Sequence, residues 1–232
     1  MVERNSGAGW NADLAQGQKL AFTLKETEQL STWLIETEQW HDLAMMSLNV
    51  DSMLRAEDLL TLRVRDLHYS DGSMRDTFGR KQGKTRRGVF PGLTSQTKIN
   101  LLRWLHASGK GWNHLLFTRH KQKPDALPIT RQYYSKIIKS WAVELGHPPD
   151  EYSTHSLRRT KPEHLFWEAE AKGQGERMLV LLSKLLGHKS VDVTIEYLGI
   201  TQRRATELTL KHPMVKAAPD ISLNGYSFFL ER

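Results

Sequence analysis

Apolar residues recur every three or four positions along most of this chain, the interval at which one face of an α-helix returns. Thr23 and Glu26 have the spacing of a capping box, and the helix that they open carries Leu30, Trp33 and Leu34 on one stripe. A second helix is predicted to lead toward Met53, and a third to begin directly after it. The N-terminal part of the chain is therefore predicted to be a set of packed helices.

Two further helices are predicted in the middle of the chain, each after a threonine that can accept a hydrogen bond from the first helical turn. Thr94 opens the first, whose apolar positions Ile99, Leu102 and Leu105 are expected to face inward. Thr130 opens the second. The inward positions expected there are Tyr134, Ile137, Ile138, Trp141 and Leu145.

The pattern changes between residues 66 and 91, where short strand-like runs replace the helical period. Turn signals at Asp71-Gly72 and near Gly88 separate these runs. The segment predicts a small three-stranded antiparallel sheet, so the predicted fold class is α+β, mostly helical around that sheet. Residues 1–20 are polar and lack a period, and we expect them to form a flexible N-terminal arm.

Three motifs in the last third of the chain carry basic and nucleophilic groups. His155 and Arg158 are three residues apart and share one helical face. Gly187 is placed to end the next helix, His188 follows at the break, and Tyr197 comes nine residues later. Guanidinium groups bind phosphate oxygens, imidazoles move protons near neutral pH, and a phenol oxygen can act as a nucleophile. These residue types suit a metal-free attack on a phosphodiester.

The motifs T-H-S-L-R-R-T, L-L-G-H-K-S and Y-L-G-I resemble the H-x-x-R, L-G-H and Y pattern of the tyrosine recombinase (phage integrase) family. Upstream, S-M-L-R-A-E-D-L-L resembles the start of the family's G-L-R-x-x-E-L-x-x-L, which matches Arg55 to the first catalytic arginine and Asp58 to the acidic position. Met53 replaces the usual glycine, so we expect the turn before Arg55 to be built differently. K-Q-G-K-T-R-R-G-V-F-P resembles Q-x-K-T-G-x-x-x-x-x-P, which matches Lys84 to the hairpin lysine, with Lys81 as a rival.

The resemblance implies the tyrosine recombinase catalytic fold over residues 21–212 and a site-specific DNA recombinase that acts through a 3′-phosphotyrosyl intermediate. The implied catalytic residues are Arg55, Lys84, His155, Arg158, His188 and Tyr197, with Asp58 in support. The cluster of positive charge is expected to favour the phenolate of Tyr197. No cofactor is implied, because the phosphotyrosyl bond keeps the energy of the phosphodiester. No metal site is expected, because the remaining histidines lack metal-ligand spacing.

Two other functions stay open, a type IB topoisomerase and a non-catalytic DNA-binding regulator derived from the family. The L-G-H-x(8)-Y spacing disfavours the first, and the presence of every catalytic position disfavours the second. The sequence leaves open whether the outcome is integration, excision, inversion or resolution. It also leaves open whether the chain is a naturally minimal recombinase or a fragment, since only about twenty residues precede the first predicted helix.

The charge balance favours a polyanionic partner. The chain has 232 residues, with 33 Lys and Arg against 26 Asp and Glu and a formal net charge of +7. Residues 75–88 hold six of the basic residues and one aspartate. The expected DNA-binding residues are Arg80, Lys81, Arg86, Arg87, Arg119, Lys121 and Lys123.

The expected partners are double-stranded DNA and three further copies of the chain, in a tetramer on paired sites. The segment 201–212 is predicted to be the helix exchanged between copies. The apolar tail within 213–232 is expected either to dock on a neighbouring copy or to pack on its own domain. No apolar stretch is long enough to span a bilayer, and the chain has no cysteine. A cytoplasmic protein is expected, associated with the nucleoid if bacterial.

Overall fold

The computed structural model describes residues 19–120 and 126–200. These residues form eight α-helices, two 3₁₀ turns and one two-stranded antiparallel sheet. The helices are α1 (Leu24–Glu36), α2 (Trp40–Ser52), α3 (Ala56–Leu60), α4 (Ser95–Ser108), α5 (Arg131–Glu144), α6 (Thr154–Ala171), α7 (Gly175–Leu186) and α8 (Val191–Leu198). The strands are β1 (Arg80–Lys81) and β2 (Gly88–Val89), and the 3₁₀ turns are Val64–Asp66 and Pro149–Glu151.

Several sequence predictions fall outside the described residues. They are Lys121 and Lys123, nearly all of the arm at 1–20, the segment 201–212 and the tail at 213–232. The chain divides into one compact unit that ends at Leu198 and a second from Gly199 to Arg232, of which the structure describes only the first two residues. The predicted domain boundaries therefore stay predictions.

The first helix begins where its capping box predicts. The Thr23 hydroxyl accepts a hydrogen bond from the Glu26 backbone N–H (3.2 Å), and the Glu26 carboxylate accepts one from the Thr23 N–H (2.7 Å). Leu30 and Leu34 are completely buried. The cap starts α1 and the apolar stripe fixes the face by which it packs against α2.

The turn between α2 and α3 corrects the expectation for Met53. Its backbone has φ 52° and ψ 25°, the left-handed conformation that glycine usually supplies at the end of a helix. A non-glycine residue pays about 1–2 kcal/mol for this conformation. Because the Met53 side chain is only 4% exposed, its burial offsets that cost. Methionine thus adopts the tight turn itself, and Arg55 follows directly as the N-cap of α3.

The inward face of α4 differs from the prediction. Ile99 and Leu102 are 63% and 51% exposed. The buried positions are Thr97, Leu101, Trp104 and Ser108. Both stripes have helical spacing, so polar anchors decide between them: the Trp104 indole N–H donates to the Leu116 carbonyl (2.9 Å), and the Thr97 hydroxyl donates to the Ser47 carbonyl (3.3 Å). For α5 four of the five predicted residues, Tyr134, Ile137, Ile138 and Trp141, are buried, and Leu145 is partly buried just after the helix ends.

The sheet has two strands of two residues each in the described part of the chain, rather than the predicted three strands. The backbone around it continues as isolated bridges, His68 with Met74 and Thr77 with Gly92. Pro91 has no N–H to donate, so one hydrogen bond of the ladder is missing there, although its carbonyl accepts from the Phe78 N–H (3.1 Å). The α+β fold stands, and the β1–β2 hairpin presents the turn at residues 83–87.

The C-terminal helices bring the three predicted motifs together. Helix α6 packs against α2, α7 and α8. Gly187 ends α7 in the left-handed conformation (φ 66°), as predicted. The break leads through His188 to α8, which carries Tyr197. Within the described residues, no helix combines the length and apolarity needed to cross a membrane.

Candidate active site

A cavity of about 310 Å³ collects four of the six predicted catalytic side chains. Its lining residues are Arg55, Ala56, Glu57, Lys84, Arg131, Thr154, His155 and Arg158. They come from the start of α3, the hairpin turn, the start of α5 and the first turns of α6. Four cationic side chains against one carboxylate make the cavity suited to an anion.

The two remaining predicted residues lie against this group. The Tyr197 ring centroid lies 5.1 Å from that of His188 and 6.3 Å from that of His155, both edge-on. The guanidinium carbon of Arg158 lies 5.7 Å from the same ring centroid. The structure therefore brings the motifs of α6, the α7–α8 break and α8 to one place.

Arg158 is the most deeply buried cation of the site, at 1% exposure. Its Nη2 donates to the Leu186 carbonyl (2.9 Å). Within the described residues, its Nε and Nη1 are buried without a hydrogen bond of normal geometry. Burial lowers the pKa of Arg158, an effect that the nearby Tyr197 partly opposes. Because unsatisfied buried N–H groups are costly, these two are prepared to receive an anion.

The Tyr197 hydroxyl is buried, and no described residue gives it a hydrogen bond of normal geometry. Burial raises the pKa of this phenol, and the nearby Arg158, Arg159 and Arg55 only partly oppose the rise. The positive charges favour the phenolate as expected, but burial outweighs them in the protein without DNA. Tyr197 is therefore a neutral phenol there.

Both histidines are neutral at physiological pH. Burial lowers the pKa of His155 to about 4, helped by the positive charges of Arg158, Arg131, Arg55 and Lys84. Burial and the charges of Arg158 and Arg55 lower the pKa of His188 to about 4 as well. The His188 Nδ1 lies 3.0 Å from the Thr194 hydroxyl, which orients its ring. A neutral imidazole beside a phenol can accept the phenol's proton.

The hairpin turn separates the two candidate lysines. Lys84 lies in the turn and lines the cavity, whereas Lys81 is exposed on β1 and does not line it. Asp58 fixes this turn, because its buried carboxylate accepts a hydrogen bond from the Gly83 N–H (2.8 Å). The placement favours Lys84 over its rival.

The predicted DNA-binding residues fall into two groups. Lys81, Arg86 and Arg119 are exposed and available to a partner. Arg80 donates to the Thr61 hydroxyl, and Arg87 donates to the His188 carbonyl (2.6 Å). Arg87 thus also steadies the break that carries His188. Among the described residues, 19–120 and 126–200, no cluster of three His, Asp or Glu side chains could hold a metal ion.

Sequence reasoning missed two residues of the site. Arg131 lines the cavity and its Nη1 lies 3.6 Å from the Glu57 carboxylate. Its position directly after the Thr130 cap, at the start of a helix, was the available signal. Gln82 is 1% exposed and contacts Arg55. It stands at the first position of the Q-x-K-T match, which could have drawn attention to it.

This fold, with an arginine-rich cavity and a tyrosine whose hydroxyl is buried on the last described helix, is that of a tyrosine recombinase catalytic domain. The sequence model of the phage integrase family matches residues 21–204, and the chain belongs to that family. The predicted family and α+β catalytic fold are thereby confirmed.

Two relatives show the extent of the similarity. Tyrosine recombinase XerD of Rickettsia prowazekii (strain Madrid E) is 26% identical over 180 residues, which cover 75% of this chain and 55% of the relative. XerD of Listeria monocytogenes serotype 4b (strain F2365) is 27% identical over 203 residues, covering 84% of this chain and 62% of the relative. The chain therefore spans little more than half the length of these relatives.

Solved structures share the fold at low sequence identity. The XerH site-specific recombinase bound to palindromic difH substrate, in a post-cleavage complex, matches with a TM-score of 0.60 at 18% identity, over 84% of this chain and 54% of that one. The XerA recombinase matches with a TM-score of 0.60 at 15% identity, over 85% and 66%.

Proposed function

We propose that this chain is the catalytic part of a site-specific DNA recombinase that cleaves and rejoins DNA through a 3′-phosphotyrosyl intermediate. The observation that carries the proposal is the cavity, in which Arg55, Lys84, His155 and Arg158 converge beside the Tyr197 ring. Family membership and the DNA-bound XerH neighbour support it. The substrate would be double-stranded DNA.

In this mechanism the scissile phosphate occupies the cavity between Arg55 and Arg158. Its non-bridging oxygens accept hydrogen bonds from the buried Nε and Nη1 of Arg158, which have no hydrogen bond of normal geometry to a described residue. The two guanidinium groups then offset the charge that grows on those oxygens in the transition state. Phosphate binding thus satisfies Arg158 N–H groups whose burial is unfavourable in the protein without DNA.

Strand cleavage forms a bond between the Tyr197 oxygen and phosphorus and breaks the bond from phosphorus to the 5′-oxygen. His155 accepts the phenol's proton, because its neutral state at pH 7 leaves a nitrogen lone pair available. His188 donates a hydrogen bond to a phosphate oxygen, and Lys84 protonates the departing 5′-oxygen. Attack by the partner strand's 5′-hydroxyl reverses these steps and rejoins the DNA. No metal or cofactor is required for this scheme.

The raised pKa of Tyr197 means that its attack needs a base. A buried phenol is protonated at neutral pH and reacts only when a base takes its proton in the same step. Docked DNA would complete the arrangement by placing phosphorus within reach of the phenol oxygen.

Recombination joins two DNA sites, so we infer a tetramer of this chain on paired sites. A palindromic substrate such as the one bound by XerH presents two equivalent half-sites, which fits two copies on each duplex. We infer that the reaction takes place in the cytoplasm, at the nucleoid, because the relatives are bacterial proteins.

The test is a denaturant-resistant adduct assay on fragmented DNA of the source organism, with sequencing of what is trapped. The wild type should form adducts at one recurring sequence, and Tyr197→Phe should bind DNA but form none. Tyr69→Phe, which changes an exposed tyrosine of the hairpin region, should behave as the wild type. Adducts at many unrelated sequences would identify a type IB topoisomerase, and DNA binding without adducts would identify a regulator.

A further inference from the structure

Gln82 is a polar side chain buried at 1% exposure beside the cavity, and both ends of its amide are bonded. The Oε1 accepts hydrogen bonds from Arg55 Nη1 and from the Thr85 hydroxyl (2.8 Å). The Nε2 donates to the Leu186 carbonyl (3.0 Å). The amide is therefore held in one orientation, because a flipped amide would place its NH₂ group against two donors and its oxygen against a carbonyl.

The Leu186 carbonyl is shared between Gln82 and Arg158. It accepts from the Gln82 amide and from Arg158 Nη2 (2.9 Å). A continuous chain of hydrogen bonds thus runs from Arg55 through Gln82 and the end of α7 to Arg158. The two positive charges repel each other in the shared cavity. The hydrogen-bonded groups between them are uncharged, so they fix both guanidinium groups without neutralising either one.

The Gln82 amide leaves no room for a side chain at the end of α7. A Cβ added at Gly187 would lie 2.8 Å from the Gln82 Oε1 and 2.9 Å from Val89 Cγ1. Gly187 also has a φ of +66°, which disfavours any side chain. The glycine of the L-G-H motif therefore serves two purposes, ending α7 and admitting the amide.

We propose that Gln82 is a positioning residue that sets the spacing of Arg55 and Arg158 so that both bind one phosphate. Through Thr85 it also links this pair to the turn that carries Lys84. The proposal rests on the proposed function in one respect, that the cavity receives a phosphate. Gln82 itself does not line the cavity, so it acts through the arginines.

The test uses inorganic sulfate as the probe and follows the ¹⁵N-labelled arginine side chains of the whole chain by NMR. In Gln82→Met, which keeps the volume and removes all three hydrogen bonds, we expect sulfate affinity to fall at least fivefold and the Arg55 and Arg158 Nε–H signals to broaden. Gln96→Met, the matched change at an exposed position of α4, should leave both unchanged. A folded Gln82→Met with wild-type affinity and wild-type arginine signals would overturn the proposal.

Two wild-type measurements keep the proposal falsifiable if Gln82→Met does not fold. The Gln82 side-chain amide should be protected from solvent exchange, and rapid exchange would overturn the proposal. Absence of sulfate binding by the wild type would overturn it too. Sulfate binding with these signals but no DNA adduct would instead count against recombinase activity, so the two failures can be told apart.

The same positioning role has a readout in cleavage once a DNA site is known. A methylphosphonate at the scissile position removes one negative charge, so its cleavage depends less on charge stabilisation by the paired arginines. We expect the cleavage defect of Gln82→Met to shrink at least tenfold on this substrate. A defect of equal size on both substrates would show that Gln82 does not act through the arginines.

Discussion

His188 couples the chemistry of the site to the stability of the fold. Its pKa in the folded chain is about 4, below the ordinary value of 6.5, because it is buried beside Arg158 and Arg55. The unfolded chain therefore binds more protons than the folded chain between these values, and stability falls as pH drops from about 6.5 toward 4. We predict that His188→Gln reduces this slope in chemical denaturation.

The control for this prediction is His106→Gln, which changes an exposed histidine of α4. It should retain the wild-type dependence on pH. A His188→Gln slope equal to that of the wild type would mean that folding does not lower the pKa of His188.

Lys84 and Lys81 can be distinguished by the leaving group. A 5′-thiol leaves without protonation, so a variant that lacks only the general acid should recover on a 5′-thio substrate. We predict that Lys84→Ala lowers cleavage of ordinary DNA by about 10²–10⁴-fold, the usual contribution of a general acid. Its cleavage of the thio substrate should approach that of the wild type.

Lys81→Ala is the matched control, because Lys81 lies on β1 of the same hairpin but does not line the cavity. It should weaken DNA binding slightly and show no selective recovery. Recovery of Lys81→Ala in place of Lys84→Ala would reverse the assignment.

At the residue scale, motif spacing predicted which side chains meet at the site but not their protonation states. His155, Arg158, His188 and Tyr197 meet as expected, because helix geometry and the Gly187 stop follow from the sequence. The neutral phenol of Tyr197 depends on how deeply its hydroxyl is buried, which no local pattern specifies.

Met53 is the point at which one element constrains the next. Its left-handed backbone ends α2 and lets Arg55 begin α3. Alanine at this position keeps the strained backbone, whereas glycine relieves it. We predict that the free energy of unfolding of Met53→Gly exceeds that of Met53→Ala by up to about 1 kcal/mol. Inside a helix the usual order is the reverse.

Both variants should be less stable than the wild type, since each removes a buried methionine side chain worth about 2–5 kcal/mol. Urea denaturation of the three proteins measures the differences. An alanine variant clearly more stable than the glycine variant would mean that residue 53 leaves the left-handed region when its side chain is removed.

At the scale of elements, the caps were predicted better than the faces. Thr23, Thr94 and Thr130 all accept the hydrogen bonds that start their helices, because capping depends on residues within one turn. The face of α4 depends on Trp104 finding the distant Leu116 carbonyl, and sequence spacing does not encode that contact.

At the scale of the whole molecule, the sequence predicts a partner through its net charge. The net charge of +7 predicts a polyanionic partner without any structure. Arg87 shows the limit of such counting, since it lies in the basic run and yet donates to the His188 carbonyl of its own chain. Charge thus predicts the kind of partner, while individual side chains divide between that partner and the fold.

Assembly should separate from cleavage at the C-terminal end of the chain. The proposed catalytic side chains lie within residues 55–197, whereas the apolar tail lies beyond residue 212. We predict that deletion of residues 213–232 leaves the rate of adduct formation on a single DNA site within about threefold of the wild type, less than one kcal/mol in barrier height. Synaptic complexes on native gels should weaken at least tenfold, because each tetramer would lose several such contacts at once.

A second variant, whose chain ends at residue 222, retains the first part of the tail and serves as the graded control. If docking on a neighbouring copy holds the assembly, the loss should follow the apolar residues at 221–230. Unchanged synaptic complexes with the full deletion would contradict docking between copies. Loss of single-site cleavage together with a lower unfolding temperature would show that the tail packs on its own domain.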